Sequence, residues 1–374
     1  MRDNDSVEPV EPKKLLRLNG TYYLRGLWMP RELIAIAPRK AIIREYEEPP
    51  LKPKQVRIKS RLSAEKHGTS LTLYRGLSPF STKTLDKKLG VFVDRPTGKG
   101  GYGGFPLRLG NMTVGVVTAV GDAVEGLKVG DRVYGYLPIR ETHVVDEDRV
   151  SLAPPGLSDE DLVCIDPAVV SLMAVREGHV RVGDKVAIFG LGAIGLMTVQ
   201  MARISGATCI VGVEPIDKRR RLAEEYGADL TLNPYECDAG LEIKKRFGGV
   251  DVAIDTSGSY RALHQAIRAT SYGGTIVPVS WYHGEARGLN LGEEWHFNRQ
   301  IMVSGARVES EPYRDYPRWD RKRVYDTVIE LFRRGAITSR GLLHPIVKFD
   351  EAADAYRMID EKPEEAIKLA VIYD

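Results

Sequence analysis

A glycine-rich stretch in the middle of the chain has the composition and spacing of a dinucleotide-binding loop. The apolar run 186–189 is followed at once by Gly190-Leu191-Gly192-Ala193-Ile194-Gly195, which fits the pattern G-x-G-x-x-G. Apolar residues then recur with a helical period as far as Ile204, and a second apolar run, 209–213, ends in Glu214. This acidic residue follows the glycines by about 20 positions, the spacing that a dinucleotide site requires.

Each glycine of this loop has a separate physical task. Gly190 lets the chain turn tightly after the strand, and Gly192 lacks the Cβ that would keep the backbone away from a pyrophosphate. Gly195 lets the helix pack closely on the sheet. The N-terminus of that helix offers free N–H groups and the positive end of its dipole to the phosphates.

The residue after the second strand decides which cofactor is expected. Glu214 can accept hydrogen bonds from both ribose hydroxyls, and its charge would repel a 2′-phosphate, so NAD is favoured over NADP. Arg219, in the basic stretch that follows, keeps NADP open as the minority alternative. We also expect Ser257, just after one later predicted strand, and Val279, near the end of the next, at the cofactor.

Length and composition indicate an ordinary globular protein of more than one domain. With 374 residues the chain is long for one core, so two domains are expected. Its 54 basic and 51 acidic residues leave a net charge of +3, which implies no nucleic-acid partner. The three cysteines have no spacing typical of a metal or redox site, and no apolar run is long enough to span a bilayer. We therefore expect a cytoplasmic protein without membrane contact.

The two halves of the chain differ in the periodicity of their apolar residues. Before about Pro167 the pattern predicts mostly short strands, with an irregular surface loop from Leu77 to Gly110 and a turn at Tyr74. Beyond Pro167 helical and strand patterns alternate, which predicts a parallel sheet with helical crossovers. The expected fold class is therefore α/β, with a β-rich domain and a doubly wound parallel-sheet domain.

The order of motifs resembles the medium-chain dehydrogenase/reductase superfamily, of the zinc alcohol dehydrogenase type, from about Glu32 to Asp374. The segments that carry this resemblance are GVVTAVGDAVEGLKVGDRVYGY, VRVGDKVAIFGLGAIGLMTVQMA, DVAIDTSGS and KFDEAADAYRMIDEKPEEAIKLAVIYD. The resemblance implies a GroES-like catalytic domain at 1–162, of which 1–30 is an extension, completed by 311–374. It implies an NAD-binding Rossmann domain at 163–310, and a homodimer formed through the strand that begins at Ile301.

This chain departs from the superfamily at the zinc-binding positions. The catalytic zinc of the family is held by a Cys before Gly-Thr/Ser-Asp, by the His of Gly-His-Glu, and by a later Cys or Glu. The matching positions carry His67, Asn111 within Gly-Asn-Met, and Asp166 before Pro167. Asn and Met are poor zinc ligands, and three cysteines cannot form a four-cysteine structural site. The sequence therefore predicts no zinc and no other metal.

Without a metal, another group must exchange the proton during hydride transfer. His67 is the first candidate, because an unperturbed imidazole with a pKa of ~6.5 suits that task; a buried structural histidine is the alternative. Asp166 can orient His67 or bind a substrate hydroxyl, or it is a turn residue before Pro167. His296 is a second candidate acid or base, and Lys66 is a weaker one.

Four further residues are predicted to contact the substrate. Asn111 and Arg299 offer polar groups, and Arg299 suits a carboxylate or phosphate. Trp281 and Tyr282 follow a predicted strand, where a parallel sheet places ligands beyond its carboxyl edge. Core packing for the aromatic residues, and an exposed loop for Arg299, are the alternatives.

Within the superfamily, the motifs LTLYRG at 71–76 and WHFNR at 295–299 resemble the bacteriochlorophyllide dehydrogenase-like branch, which is mixed in substrate. The resulting hypothesis is a zinc-independent NAD-dependent oxidoreductase acting on a secondary alcohol or ketone, of sugar or cyclitol type. Two alternatives stay open. One is an NAD(P)H-dependent quinone or enoyl reductase, and the other is a nucleotide-binding protein that has lost catalysis.

Overall fold

The structure is a computed structural model that describes residues 29–95, 104–305 and 318–374, together with the backbone of two short N-terminal strands. These strands, β1 (Leu15–Leu18) and β2 (Thr21–Leu24), form an antiparallel hairpin within the predicted extension. The other residues of 1–28 lie outside the described part of the chain. So do residues 96–103 of the predicted surface loop.

The first half of the chain is rich in β-structure, as predicted. Its elements are β3 (Arg31–Ala37), β4 (Lys40–Glu45), β5 (Gln55–Ala64), α1 (His67–Tyr74), β6 (Lys83–Asp86), β7 (Val91–Asp94), β8 (Leu107–Arg108), β9 (Met112–Val120), β10 (Arg132–Gly135), β11 (Thr142–Asp146) and β12 (Ser151–Leu152). The long strands β5 and β9 pair antiparallel, and Val56 and Ile58 of β5 alternate into the core.

Helices and strands alternate in the second part of the chain. The elements are α2 (Asp159–Val163), α3 (Ile165–Glu177), β13 (Lys185–Phe189), α4 (Ala193–Ile204), β14 (Cys209–Val213), α5 (Asp217–Glu225), β15 (Leu230–Leu232), α6 (Ala239–Phe247), β16 (Val250–Asp255), α7 (Tyr260–Ala269), β17 (Thr270–Pro278), α8 (Glu294–Phe297) and β18 (Ile301–Met302).

The strands of this second part form one parallel sheet in the order β15-β14-β13-β16-β17-β18. After β13 the chain adds β14 and β15 on one side of this strand, and it then returns to add β16, β17 and β18 on the other side. The connections that follow β13 and β16 therefore leave in opposite directions. Such a switch point opens a crevice at the carboxyl ends of the strands, where ligands bind in doubly wound sheets. The predicted α/β fold class is therefore confirmed.

The C-terminal segment returns to the β-rich half. It contains α9 (Arg321–Arg333), β19 (Ile346–Lys348), α10 (Ala352–Glu361) and β20 (Ala370–Ile372). Strand β20 pairs antiparallel with β5 and parallel with β19, which places it in a seven-stranded sheet of order β12-β10-β9-β5-β20-β19, with β11 also on β5. The exact domain boundaries at 162 and 310 stay predictions.

Helix α3 links the two halves and is buried along almost its whole length, since every residue except Arg176 is buried. It packs on α4 and α9. Pro167 occupies its first turn, where a missing N–H is tolerated. Within the described residues, no helix combines the length and the apolar character needed to cross a membrane.

Two local predictions in the first half are wrong, and so is one of the alternatives for Asp166. Tyr74 does not lie in a turn but ends α1, fully buried against Tyr356. The segment from Leu77 to Gly110 is not wholly irregular, because it contains the β6–β7 hairpin and β8. Asp166 is not a turn residue but belongs to the first turn of α3.

Candidate active site

The glycine loop after β13 has the backbone geometry that its sequence predicts. Gly190 has a φ of +84°, and a Cβ built on it would lie 2.8 Å from the backbone nitrogen of Ser257. A Cβ on Gly195 would lie 1.9 Å from the carbonyl oxygen of Gly190, so only glycine fits. A Cβ on Gly192 would meet no protein atom within 4 Å. The protein itself therefore does not require a glycine at position 192.

The first turn of α4 presents uncapped amides next to that open position. Gly192 is the N-cap residue of this 12-residue helix, and as a glycine it has no side chain to cap the N–H groups. Of the other predicted loop residues, Leu191 is buried, whereas Ala193 and Ile194 are half-buried. Free amides at a helix N-terminus bind anionic groups such as phosphates.

The predicted pair Glu214 and Arg219 lies together beside this loop. The buried Glu214 carboxylate accepts a hydrogen bond from the Leu191 N–H at 2.7 Å and lies 3.6 Å from Nη1 of Arg219. Arg219 also donates to the carbonyl oxygens of Ala366 (2.6 Å) and Pro363 (2.7 Å). Burial lowers the pKa of Arg219. The arginine thus links the nucleotide-binding sheet to the C-terminal segment.

A buried aspartate, not singled out by the sequence analysis, organises the end of β16. Asp255 accepts a hydrogen bond from the Ser257 N–H at 2.8 Å, and its carbonyl accepts one from the Val279 N–H at 2.8 Å. The hydroxyl of Tyr282 donates to its other carboxylate oxygen, and Tyr282 also packs on Tyr260. Burial raises the pKa of Asp255 to about 6. Its place at the carboxyl end of a parallel strand was the signal that could have identified it.

Residue His67 is tied to the C-terminal segment. Its Nε2 accepts a hydrogen bond from the Leu369 N–H at 2.9 Å, which leaves the proton of the neutral ring on Nδ1. Burial, with the nearby charges of Lys368 and Arg219, lowers the pKa of His67 to about 3. The expectation that its pKa suits proton exchange at neutral pH is therefore wrong in this structure.

Asp166 is held by a lysine and a tyrosine, with no hydrogen bond to His67 among the described contacts. Its Oδ1 lies 3.1 Å from Nζ of Lys66 and 3.1 Å from the hydroxyl of Tyr136, which is 2.5 Å from the hydroxyl of Tyr325. Asp166 is 4% exposed, and its Oδ2 is buried without a hydrogen-bond partner in the described structure. Burial and the Asp166 charge raise the pKa of Tyr136.

The loop that carries Asn111 lies against the same group. The Asn111 N–H donates to the carbonyl of Ala64 at 3.0 Å, and the Gly110 N–H donates to the Glu65 carboxylate at 2.8 Å. Lys368 donates from Nζ to the carbonyl oxygen of Glu65 at 2.7 Å. The side-chain Nδ2 of Asn111 is buried and has no partner among the described residues. Residues 65–67, 110–111, 166 and 368–369 therefore converge on one site.

This site is a poor match to a zinc ion. The Nε2 of His67 already accepts a backbone N–H, and an amide at position 111 is a weak ligand. The Lys66 ammonium, 3.1 Å from Asp166, would repel a dication bound to that carboxylate. Within the described residues, the His, Cys and carboxylate group close enough to share a metal is His264, Glu293 and Glu294, which includes no predicted site residue.

The remaining predicted residues divide between the cleft and the surface. Trp281 is half-buried, and its ring lies 5.8 Å from the ring of Phe80 and 4.5 Å from that of His283. It therefore bridges the two halves of the chain. His296 on α8 and Arg299 just after it are exposed, and no described hydrogen bond joins either to Asp166. Their catalytic and substrate roles stay predictions.

Comparison with known proteins identifies the family. The family model described as alcohol dehydrogenase GroES-like domain matches residues 91–154, and the model described as zinc-binding dehydrogenase matches residues 193–319. D-guloside 3-dehydrogenase of Escherichia coli (strain K12) is 40% identical over 350 residues, which cover 92% of this chain and 100% of that protein. This chain belongs to the medium-chain dehydrogenase/reductase superfamily.

Solved structures of the superfamily share the fold over nearly the whole chain. The 2R,3R-butanediol dehydrogenase of Bacillus subtilis has a TM-score of 0.72 at 26% identity, and the match covers 92% of this chain and 100% of that one. A putative zinc-binding dehydrogenase of Sinorhizobium meliloti 1021, bound to NADP, has a TM-score of 0.72 at 22% identity and covers the same shares. The second likeness shows the fold alone.

Membership of the superfamily confirms the GroES-like and Rossmann-like parts of the predicted fold. The protein is an oxidoreductase of the medium-chain dehydrogenase type, in a superfamily whose enzymes use nicotinamide cofactors and whose zinc-binding dehydrogenases normally hold zinc. The resemblance to the bacteriochlorophyllide dehydrogenase-like branch stays a prediction.

Proposed function

We propose that this protein is a zinc-independent, NAD-dependent oxidoreductase that transfers a hydride between the nicotinamide and a secondary carbinol carbon of a sugar-like substrate. The observation that carries this proposal is the ion pair of Lys66 with the buried Asp166, together with the buried and unpartnered Nδ2 of Asn111. Asn111 and Asp166 stand where the resemblance places two zinc ligands of the superfamily, and Asp166 lies on α3, which packs against α4, the helix that follows the glycine loop.

The preference for NAD rests on Glu214 and Arg219. A 2′-phosphate on the adenosine ribose would bring at least one further negative charge towards the buried Glu214 carboxylate. Arg219 is the cation best placed to compensate, but its guanidinium already donates to two backbone carbonyls and faces Glu214. Recognition of NADP would require Arg219 to give up these contacts.

The proposal of a sugar-like substrate rests on the polarity of the cleft and on one relative. Asn111 Nδ2 and Asp166 Oδ2 are buried polar atoms without a described partner, which is costly unless a ligand or water satisfies them. Trp281 offers an aromatic ring at the junction of the two halves, a surface on which sugar rings pack. The name of the 40% identical relative, D-guloside 3-dehydrogenase, points to oxidation at a ring carbon of a hexoside.

Turnover of a sugar panel by the purified protein tests this function. We expect NAD reduction, followed at the nicotinamide absorbance, with at least one hexoside, free hexose or cyclitol, and no loss of rate after treatment with a chelator. We expect NAD to bind at least about tenfold more tightly than NADP, as the charge argument requires. Metal content should be measured on the same preparation.

Three outcomes would contradict separate parts of the proposal. Loss of activity on chelation, restored by zinc, would overturn the zinc-independent part. Reduction of quinones or enones with NADPH, and no reaction with sugars, would favour the reductase alternative. Tight NAD binding without turnover of any alcohol or ketone would favour the inactive nucleotide-binding protein.

We also propose that the protein is a homodimer that pairs through β18. This strand lies at the edge of the parallel sheet, and its first residue, Ile301, is 58% exposed. An exposed sheet edge with apolar side chains is a template for pairing with a second strand. The mass measured by light scattering should fall from dimer to monomer in Ile301→Lys. The cytoplasmic location stays a prediction.

A further inference from the structure

We propose that Lys66, held in place by Asp166, is the catalytic cation of this enzyme: it hydrogen-bonds to the substrate oxygen and exchanges its proton. This inference rests on the proposed function, since it names the group that acts in that reaction. It assigns to a side-chain ammonium the stabilisation of oxygen charge that a metal supplies in zinc dehydrogenases.

The surroundings of Lys66 are consistent with a fixed charge. Its Nζ lies 3.1 Å from Oδ1 of Asp166, and the Tyr136 hydroxyl, itself 2.5 Å from the Tyr325 hydroxyl, donates to the same oxygen. Tyr325 of α9 therefore orients Tyr136, and Tyr136 orients the Asp166 carboxylate. This carboxylate in turn holds the ammonium of Lys66. In the proton transfer Asp166 is a positioning residue, because its Oδ1 acts through Lys66.

Among the polar side chains that converge on this site, Lys66 is the one suited to act as an acid. His67 is a poor acid at neutral pH, because burial keeps its pKa near 3, so that the ring is neutral there and its Nε2 accepts a backbone N–H. Lys368 is 2% exposed and donates to the main-chain oxygen of Glu65. The Lys66 side chain is 26% exposed, so a ligand can reach it.

Helix α3 places this pair close to the cofactor loop. The Ser171 hydroxyl donates to the carbonyl oxygen of Ile194, in the first turn of α4, at 2.8 Å. Asp166 precedes Ser171 by five residues on the same helix, which corresponds to about 7.5 Å along its axis. The distance from the Lys66–Asp166 ion pair to the glycine loop is therefore no greater than about the length of the nicotinamide half of the cofactor. A substrate must meet the cofactor in this region.

The proposed step balances in atoms and electrons. In the direction of ketone reduction, the C4–H bond of NADH breaks, and its electron pair forms the new C–H bond at the carbonyl carbon. The π pair of the carbonyl moves onto oxygen, and one N–H bond of the Lys66 ammonium breaks as its proton forms the new O–H bond. The products are NAD⁺, the secondary alcohol and a neutral amine, which regains its proton from solvent.

Two substitutions of Lys66, with a matched control, test its role. Lys66→Met removes the charge at similar volume, Lys66→Ala leaves room for a small amine, and Lys59→Met is the control because Lys59 is exposed on the neighbouring strand β5. We expect Lys66→Met to lower kcat about 100-fold or more, the usual contribution of a positioned acid, with unchanged NAD affinity. Its melting temperature should fall, because the buried Asp166 loses its cation. Lys59→Met should match wild type.

Two further readouts separate catalysis from structure. Added methylamine should restore at least about tenfold of the rate lost in Lys66→Ala, which a lysine with only a structural role would not show. Asp166→Asn, which removes the charge that holds the ammonium in place, should lower kcat more than it raises KM, since it misplaces Lys66 without removing it.

A measurement that needs no turnover distinguishes failure of this inference from failure of the proposed function. Bound NAD should slow reductive methylation of Lys66 several-fold, read by mass spectrometry, while Lys59 is unaffected. Protection of Lys66 without turnover of any sugar would support its place at the cofactor and overturn the substrate proposal. Sugar turnover by Lys66→Met within about threefold of wild type, or no protection by NAD, would overturn the role of Lys66.

Discussion

Replacing Gly192 with alanine should separate the two reasons for which the loop contains glycine. A Cβ at position 192 meets no protein atom within 4 Å, and the backbone there has a φ of −69°, which alanine adopts without strain. No steric contact within the described protein therefore opposes Gly192→Ala. The one penalty that we expect is a collision between the new methyl group and the pyrophosphate of the cofactor.

The magnitudes follow from these contacts. Replacing glycine by alanine where the backbone angles suit alanine stabilises proteins by about 0.4–1 kcal/mol, because the unfolded chain loses conformational entropy. If the methyl group costs one charge-assisted hydrogen bond between a loop amide and a phosphate, binding loses about 1.5–3 kcal/mol. That loss corresponds to a reduction in NAD affinity of about 10- to 100-fold. Folding stability should therefore hold or rise while cofactor binding falls.

Gly195→Ala is the matched comparison, because its Cβ would lie 1.9 Å from the Gly190 carbonyl oxygen. We expect this variant to lose about 1–3 kcal/mol of unfolding free energy or more, as overpacked sites do. Denaturant unfolding and NADH fluorescence titration measure the two effects on both variants. Wild-type NAD affinity in Gly192→Ala would refute the placement of the pyrophosphate against this loop.

Three further predictions concern charge. Glu214→Ser removes the carboxylate expected to repel a 2′-phosphate, so NADP affinity relative to NAD should rise about tenfold or more in a competition titration. The pKa of His67 is about 3 in the folded protein against ~6.5 when unfolded, so the unfolded state binds more protons below pH ~6.5. Its contribution to stability is therefore lost as pH falls, by up to about 1.4 kcal/mol per unit, and His67→Gln should flatten this slope in denaturant titrations. The pKa of Asp255 is about 6 against ~3.9 when unfolded, so its contribution has the opposite sign and stability falls as pH rises from about 4 to 6. Asp255→Asn should remove that slope and raise the unfolding free energy at pH 8 by up to about 3 kcal/mol; no gain at pH 8 would contradict the buried charge.

The cofactor loop could be predicted from the sequence because its constraints are local. The geometry at Gly190 and Gly195 is imposed by atoms of the same strand–turn–helix unit, or of the adjacent strand end. The position of Glu214 follows from the length of one helix and one strand. Spacing along the chain therefore carries the information, and the structure places these residues as the spacing indicates.

The chemistry of the cleft was not predictable in the same way. Lys66 and Asp166 are 100 positions apart, and their pairing depends on how α1 and α3 are packed. No pattern marks α1, whose N-cap residue Lys66 makes no capping hydrogen bond. The low pKa of His67 depends on burial and on a backbone N–H from Leu369, at the far end of the chain. Such contacts between distant segments leave no local signal.

The pairing of β20 with β5 has a consequence for the order in which the protein can fold during synthesis. The parallel sheet from β13 to β18 is contiguous in the chain, so it can form while translation continues. The sheet whose strand β5 leads into Lys66 and His67 must wait for β20, which the ribosome makes only after that whole domain. Until then Glu65 lacks the Lys368 contact, His67 lacks the Leu369 N–H, and residues 62–64 of β5 lack the partner strand β20. The nascent chain thus acquires its nucleotide-binding part before it can complete a catalytic one.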